Sequence, residues 1–172
     1  MNNQRISIRP YCEKDCQDLL PSFSSWNEMK YLLIEDYRIY DEESLAKDLS
    51  KWIEAGSQLY SVISNASQKV IGLLTLDDLD QRNRNCYLGI CIVPAAQGQG
   101  LASESIEIFC NFLFDQMGLE MIVANTIEGN EASAKLMERC KFRFVGRLER
   151  AVIRDGKFLA LNYYQRFREE PL

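Results

Sequence analysis

Apolar and polar positions along this chain fall into stretches whose period switches between two residues and about 3.6 residues, the signatures of strands and helices. Ile6 and Ile8 alternate with polar neighbours ahead of Pro10 and predict an opening strand. Cys12, Cys16, Leu19, Leu20 and Phe23 then recur at helical spacing, in a helix limited by Pro21. Leu45, Leu49, Trp52 and Ile53 share one face of a second helix, capped by Asp41 and stopped by Gly56. Residues 59–64 and 70–76 read as two strands joined by a polar turn, and 86–93 as another. A long helix over 100–117 ends at Gly118, a short buried strand covers 121–126, and an amphipathic helix covers 130–140. The tail, 144–153 and 158–167, brackets Arg154-Asp155-Gly156-Lys157, whose Asp-Gly pair signals a tight hairpin. The order β-α-α-β-β-β-α-β-α-β-β predicts one mixed α/β domain spanning residues 1–172, without repeats or a linker.

With 172 residues, 47% apolar and 26% charged, the chain has the material for a single soluble domain with a real core. A formal net charge of −5 argues against a sequence-independent grip on nucleic acid. No basic segment followed by an apolar run opens the chain, and no apolar run approaches the roughly 18 residues of a membrane span, so a cytoplasmic location is expected and membrane insertion is not. Six cysteines (Cys12, Cys16, Cys86, Cys91, Cys110, Cys140) stand singly in core-facing patterns and read as thiols in a reducing compartment. The absence of histidine removes the commonest general base and the commonest zinc ligand together, and no metal site is expected.

Between Pro94 and the long helix lies Gln97-Gly98-Gln99-Gly100-Leu101-Ala102. Two glycines expose backbone N–H groups, and the helix that follows adds the positive end of its dipole, which together suit a pyrophosphate. The same glycines also suit an ordinary strand-to-helix turn.

With that order of elements and a phosphate-type loop after the fourth strand, the chain resembles the GNAT superfamily of acyl-CoA-dependent N-acetyltransferases. The superfamily's pyrophosphate motif is Gln or Arg, two residues, Gly, one residue, then Gly or Ala; Gln97, Gly100 and Ala102 fill its fixed positions. Asn130-Glu131-Ala132-Ser133, with the Leu136 to Phe142 stretch behind it, is similar to the family's Asn-led helix. Gly146-Arg147-Leu148 and Asp155-Gly156-Lys157 resemble the C-terminal hairpin of one branch, that of the ribosomal-protein N-terminal acetyltransferases and bacterial spermidine acetyltransferases. Ile6-Ser7-Ile8-Arg9-Pro10 and Met29-Lys30-Tyr31 fit that branch too, so the resemblance spans nearly the whole chain.

The resemblance implies a GNAT-like α/β fold with splayed central strands, acetyl-CoA as co-substrate, and acetyl transfer to a primary amine by direct attack in a ternary complex. Ile90, Cys91, Ile92 and Val93 would pair with the pantetheine arm and polarise the acetyl carbonyl through the main chain. Gln97, Gly98, Gln99, Gly100, Leu101 and Ala102 would hold the pyrophosphate, with Ser103 adding a hydroxyl. The loop contains no Lys or Arg, so N–H groups and the helix dipole must carry the anion. Asn130 would contact the pantetheine, cap its helix, or do both.

Two departures from the family concern proton transfer. Many relatives use a tyrosine in the second conserved helix to protonate the departing thiolate; Met137 stands there and has no proton to give. Ser133, one turn earlier, matches the serine of the ribosomal-protein branch and is a candidate hydrogen-bond donor to the thiolate, or else a helix-surface residue. Where relatives place a glutamate early in the fourth strand this chain has Tyr87, the other candidate catalytic residue. Asp77 and Asp78, at the end of the preceding strand, are nearby carboxylates or solvated turn residues. Lys141 replaces a glycine before Phe142, which predicts an altered helix end.

On the acceptor side, Glu35, Asp36, Asp41, Glu42 and Glu43 form an acidic cluster where the spermidine enzymes carry a similar stretch. It would draw a cation such as a polyamine, an amino sugar or a basic N-terminus, or is a solvated helix start. Glu35, Asp36 and Tyr37 are the acceptor-binding candidates, with Trp26, Tyr31 and Tyr40 as walls that stack on a cation or belong to the core. The expected activity is N-acetyl transfer to a small-molecule amine or a peptide N-terminus, with a homodimer allowed. The alternative is a non-catalytic acyl-CoA-binding regulatory module on the same fold.

Overall fold

The computed structural model describes residues 4–32 and 38–169. Its strands are β1 (Ile6–Pro10), β2 (Gln58–Ser64), β3 (Val70–Asp80), β4 (Asn85–Ile92), β5 (Met121–Ile127), β6 (Arg143–Arg154) and β7 (Lys157–Phe167). They form one sheet in the order β1-β2-β3-β4-β5-β7-β6. Every neighbouring pair is antiparallel except β4 and β5. The helices are α1 (Cys16–Leu19), α2 (Trp26–Met29), α3 (Glu42–Glu54), α4 (Leu101–Asp115) and α5 (Glu131–Arg139). Among the described residues no helix is long and apolar enough to cross a membrane.

Two hydrophobic layers cover the sheet. On one face Cys16, Leu19, Leu45 and Leu49 from α1 and α3 pack on Leu59 and Leu73. On the other, Ile106, Phe109 and Leu113 of α4 and Met137 of α5 pack on Leu74, Leu76 and Ile122. The predicted caps hold: Asp41 accepts the Ser44 N–H at 2.8 Å to start α3, and Gly56 follows it at φ +107°. Asp155 and Gly156 both take positive φ in the β6–β7 turn, as a two-residue hairpin of matching twist requires.

The structure corrects the sequence reading at three places. The first predicted helix is broken into a 3₁₀ turn (Glu13–Asp15), the single turn α1 and a second 3₁₀ turn (Leu20–Ser22), and α2, unforeseen, follows with Ser25 as its cap. Pro21 lacks the N–H that would continue α1, and the Asp15 carboxylate is committed elsewhere. β3 runs to Asp80 rather than Leu76, because pairing with β4 resumes at Asp80–Asn85 beyond a bulge. Lys141 does not alter the end of α5: at φ +63° it takes the left-handed conformation that glycine usually supplies there. Phe142 N–H bonds to Met137 O at 2.9 Å and Lys141 N–H to Glu138 O at 3.1 Å, the two crossed bonds of a Schellman ending.

Asp15 ties the edge strand β1 and its neighbour β2 to the first turn. Arg9 of β1 grips it with two bonds of 2.7 Å, Ser61 of β2 donates at 2.6 Å and Cys12 N–H at 3.0 Å. Burial pushes this carboxyl up, but the Arg9 pair and the Ser61 and Cys12 bonds outweigh it and hold the group at about 2, below its ordinary 3.8. A depressed folded value gives stability that is complete above the unfolded value and is lost as pH falls through the folded one. Asp15→Asn is therefore expected to be less stable than the parent by about 2 kcal/mol at neutral pH. Thermal unfolding should show that gap closing between about pH 4 and about pH 2.

Candidate active site

β4 and β5 pair through only Asn85–Met121, Cys86–Ile122 and Tyr87–Val123, and then diverge. A cavity of about 1100 Å³ opens in the gap and reaches both faces of the sheet. One side is lined by Gly98, Gly100, Ala102 and Ser103 at the start of α4 and by Asn130, Ser133 and Met137 of the α5 region. The other is lined by Ser22, Phe23, Glu28, Tyr31, Trp52, Thr75, Asp77, Tyr87, Cys91 and Tyr163.

The register of β3 and β4 decides which backbone groups face the gap. Val93 N–H bonds to Ile71 O on β3 at 2.9 Å, so the hydrogen-bonding alternation of an antiparallel pair turns Gly89, Cys91 and Val93 toward β3. Ile90 and Ile92 then turn their amide groups to the opposite edge, into the gap. Ile92 O already accepts from Gln97 Nε2 at 2.9 Å. Of the four residues predicted to meet the pantetheine, Ile90 and Ile92 thus offer backbone groups and Cys91 offers only a side chain. Val93 is buried and does not line the cavity. Desolvation pushes the Cys91 thiol up to about 11, so it stays protonated.

The glycine loop is built for N–H donation. Gly98 and Gly100 sit at φ +72° and +78°, conformations that side chains rarely adopt, and a Cβ at Gly98 would meet nothing. Gly100 is the N-cap of α4 and gives no side-chain cap, while the first intrahelical bond is Glu104 N–H to Gly100 O. The N–H groups of Leu101, Ala102 and Ser103 therefore precede the helical ladder and point out of the helix start. Leu101 contributes only through its backbone, since its side chain is in the core. Gln97 and Gln99 act on the loop itself: Gln97 reaches Ile92 O, and Gln99 Nε2 donates to Ala95 O at 3.0 Å.

Arg5, invisible in the motif, completes this end. Its Nη1 donates to Gln99 O at 2.9 Å, and its Nε and backbone N–H hold the Glu104 carboxylate at 2.7 and 3.0 Å. The loop lacks its own cation, yet the fold brings one from β1's approach, ninety-nine residues away from Glu104 in sequence. That cation neutralises the one acid in the first turn of α4.

Asn130 Oδ1 accepts Ser133 N–H at 3.2 Å and caps α5, which leaves its Nδ2 for a ligand; both expected roles are compatible. Ser133 lines the cavity, and Met137 is 3% exposed and part of the core. Tyr87 lines the cavity opposite Asp77 on the neighbouring strand. Asp77 is no solvated turn residue: it lies within β3 and accepts from Ser57 Oγ and Thr75 Oγ1. Asp78 is exposed, at φ +47° in the bulge.

The acceptor candidates Glu35, Asp36 and Tyr37 lie outside the described residues. Asp41 serves as the α3 cap and Glu42 and Glu43 form its first turn. Tyr40 is core: 5% exposed, it stacks edge-on with Phe23 and donates to Asp48 at 3.0 Å. Trp26 does not line the cavity, whereas Tyr31 does, and its hydroxyl spans to Gly129 O at 3.0 Å. Three buried side-chain oxygens among the described residues have no hydrogen-bond partner, those of Ser22, Ser103 and Thr126, and all three residues line this cavity. Periodicity alone had no means of finding Ser22, Thr126 or Arg5, since each matters through a distant neighbour.

The family model for the acetyltransferase (GNAT) domain matches residues 5–143. The chain is 25% identical over 156 residues to a spermidine N(1)-acetyltransferase of Vibrio cholerae, covering 91% of this chain and 89% of that protein. It is 26% identical over 99 residues to a putative ribosomal N-acetyltransferase of Bacillus subtilis, covering 58% of this chain and 54% of the other. In fold it is similar to the Vibrio cholerae spermidine N-acetyltransferase crystallised with CoA and spermine, at a TM-score of 0.83 and 21% identity over 96% of both chains. A ribosomal-protein-S5-alanine acetyltransferase of Vibrio fischeri superposes at 0.80 with 15% identity, over 99% of this chain and 97% of that one. Splayed strands, glycine loop and matched family together place this chain in the GNAT family of N-acetyltransferases.

Proposed function

We propose that this chain transfers the acetyl group of acetyl-CoA to a primary amine by direct attack in a ternary complex. The acceptor is a small cationic amine, such as a polyamine or an amino sugar, or a protein N-terminus. The observation that carries the reading is the cavity through the β4–β5 gap, with unpaired N–H groups at one end and carboxylates at the other. Two co-substrates enter from opposite faces and meet at β4, and no covalent enzyme intermediate is needed. The named activities of the relatives, on spermidine and on ribosomal protein, support both acceptor classes.

The residues fit acetyl-CoA. The N–H groups of 98–103, with the Ser103 hydroxyl, suit the pyrophosphate. The free edge of Ile90 and Ile92 and the Asn130 amide suit the pantetheine. Acetyl-CoA supplies an acetyl thioester, whose carbon the neutral amine attacks as the thiolate leaves. The Ile90 N–H, fixed by its strand, is the main-chain donor for the negative charge that builds on the carbonyl oxygen. Ser133 is the hydrogen-bond donor for the departing sulfur, and Tyr87 the hydroxyl at the amine side. The ammonium proton of the acceptor passes to water before attack, as the site contains no histidine, and the proton shed by nitrogen as the amide forms reaches the thiolate through water.

Free thiols throughout, none of the six in a disulfide, support a cytoplasmic setting. A homodimer is supported by the outer edge of the sheet, where Phe144, Val145, Leu148 and Ile153 of β6 are each at least half exposed. Sedimentation velocity should give a dimer, converted to monomer by Leu148→Glu.

The overall test is CoA release with a panel of polyamines, amino sugars and peptides. Turnover of at least one is expected; tight acetyl-CoA binding with no turnover of any would establish the regulatory module instead. Ser133→Ala should lose about 10²-fold in kcat while calorimetric affinity for acetyl-CoA holds. Arg5→Ala leaves the Glu104 carboxylate unneutralised beside the loop and should weaken acetyl-CoA binding about tenfold, or ~1.4 kcal/mol. Adding Glu104→Gln should restore most of that loss; a double variant as weak as the single one would mean that Arg5 acts on the loop's shape alone.

A further inference from the structure

We propose that Asp77 anchors the ammonium group of a cationic acceptor and so selects this enzyme's substrate by charge. The inference rests on the acetyltransferase reading above and adds the residue that holds the amine. Asp77 belongs to β3, not to the acidic stretch near residue 40, and faces Tyr87 across the β3–β4 pair. It lines the cavity on the side covered by α1 and α3.

Its carboxylate is fixed in direction. Ser57 Oγ donates to Oδ1 at 2.5 Å and Thr75 Oγ1 donates to Oδ2 at 2.9 Å, so each oxygen is held by one neutral hydroxyl and keeps lone-pair capacity for a further donor. Thr75 is held in turn by the strand opposite: a Cβ on Gly89 would stand 2.5 Å from Thr75 Oγ1. Only glycine at that position lets the threonine hydroxyl lie across β4 and reach Asp77. Immediately beyond, β3 bulges between Asp77 and Asp80, a device that turns a strand's side chains out of regular alternation beside a site.

Independent observations mark the same cavity as a polar ligand's place. Ser22 Oγ, on a residue 2% exposed, and Thr126 Oγ1, on one 3% exposed, line it without a hydrogen-bond partner. Ser22 stands beside Cys91 in the cavity lining. A buried hydroxyl left unpaired carries its full desolvation cost, which a polar ligand removes.

The balance of charge at this end favours a cation. Glu28, Asp77 and Asp78 line it against Lys30, whose ammonium is occupied by Asn27 Oδ1 at 3.3 Å and the Tyr31 ring at 4.9 Å. An ammonium brings three donors and a charge-assisted bond to the fixed carboxylate, where a neutral hydroxyl would bring one weaker bond.

The test uses the whole chain with CoA bound. Spermine, kanamycin and an alanine-initiated peptide are titrated calorimetrically into the parent, Asp77→Asn and Asp80→Asn, and kinetics are run with the tightest binder. Asp77→Asn keeps the shape of the side chain and removes its charge. Affinity should fall about tenfold or more, equivalent to ~1.4 kcal/mol, with KM rising in step and kcat changing little. Asp80→Asn removes the same charge from the same strand outside the cavity and should change affinity by about twofold at most. Unchanged affinity in Asp77→Asn, an equal loss in both variants, a fall in kcat at constant KM, or a parent that binds none of the three would each overturn the proposal. Failure of the acetyltransferase reading is a separate result, seen as a parent that does not bind acetyl-CoA.

Discussion

Among the described residues β4 and β5 are the only parallel neighbours in the sheet, and the cavity follows from the way they part. A parallel pair cannot be closed by a hairpin; it needs a crossover, here α4. The crossover delivers the start of α4 to the end of β4, beside the point where the strands separate. Both strands keep their outer partners over the divergent stretch: β3 pairs β4 as far as Ile92 and β7 pairs β5 as far as Ile127. The gap is therefore rigid on both sides, and each lip presents one row of unpaired backbone groups. Such groups are costly to leave without a partner away from water. Gln97 satisfies one of them, at Ile92 O.

The two ends of the cavity solve opposite electrostatic problems by different means. At the anion end the donors are neutral N–H groups, and the one acid in the first helical turn, Glu104, is cancelled by Arg5. That arrangement leaves the N–H groups of the helix start facing the cavity with no formal cation in the loop itself. At the other end a formal charge is used, but it is held in place by neutral hydroxyls from Ser57 and Thr75.

Most of the fold was legible in the sequence because periodicity and turn chemistry agreed. The Asp41 cap, the Gly118 stop and the Asp155-Gly156 turn each rest on a local physical preference, and each held. The conformation of the glycine loop was legible for the same reason, since glycine at positive φ is a local demand. The misreadings have one source, which is long-range partnering. Helical spacing over Cys12 to Phe23 was real, but Asp15 found Arg9 on β1 and Ser61 on β2, and the helix broke. Of the two readings left open for Asp77, the solvated-turn one fails because pairing with β4 keeps the residue in the strand. Arg5, Ser22 and Thr126 had no local signal at all.

α5 shows how a non-glycine residue is accommodated at a left-handed helix end. Ser133 lies one turn into this helix, so its position depends on how firmly both helix ends are held. Asn130 fixes the first end. At the second, Lys141 adopts a left-handed backbone that costs a non-glycine residue about 1–2 kcal/mol. The strain persists because neighbours over-determine the geometry: Arg166, 7% exposed, is paired with Glu107 of α4 and also donates to Cys140 O at 3.0 Å. Lys141 itself reaches Glu169 at 2.7 Å. A buried arginine that joins β7, α4 and the last carbonyl of α5 thus does the work that glycine would do by conformational freedom. Ser133 thus depends on contacts among residues of β7 and α4 that are distant from it in sequence.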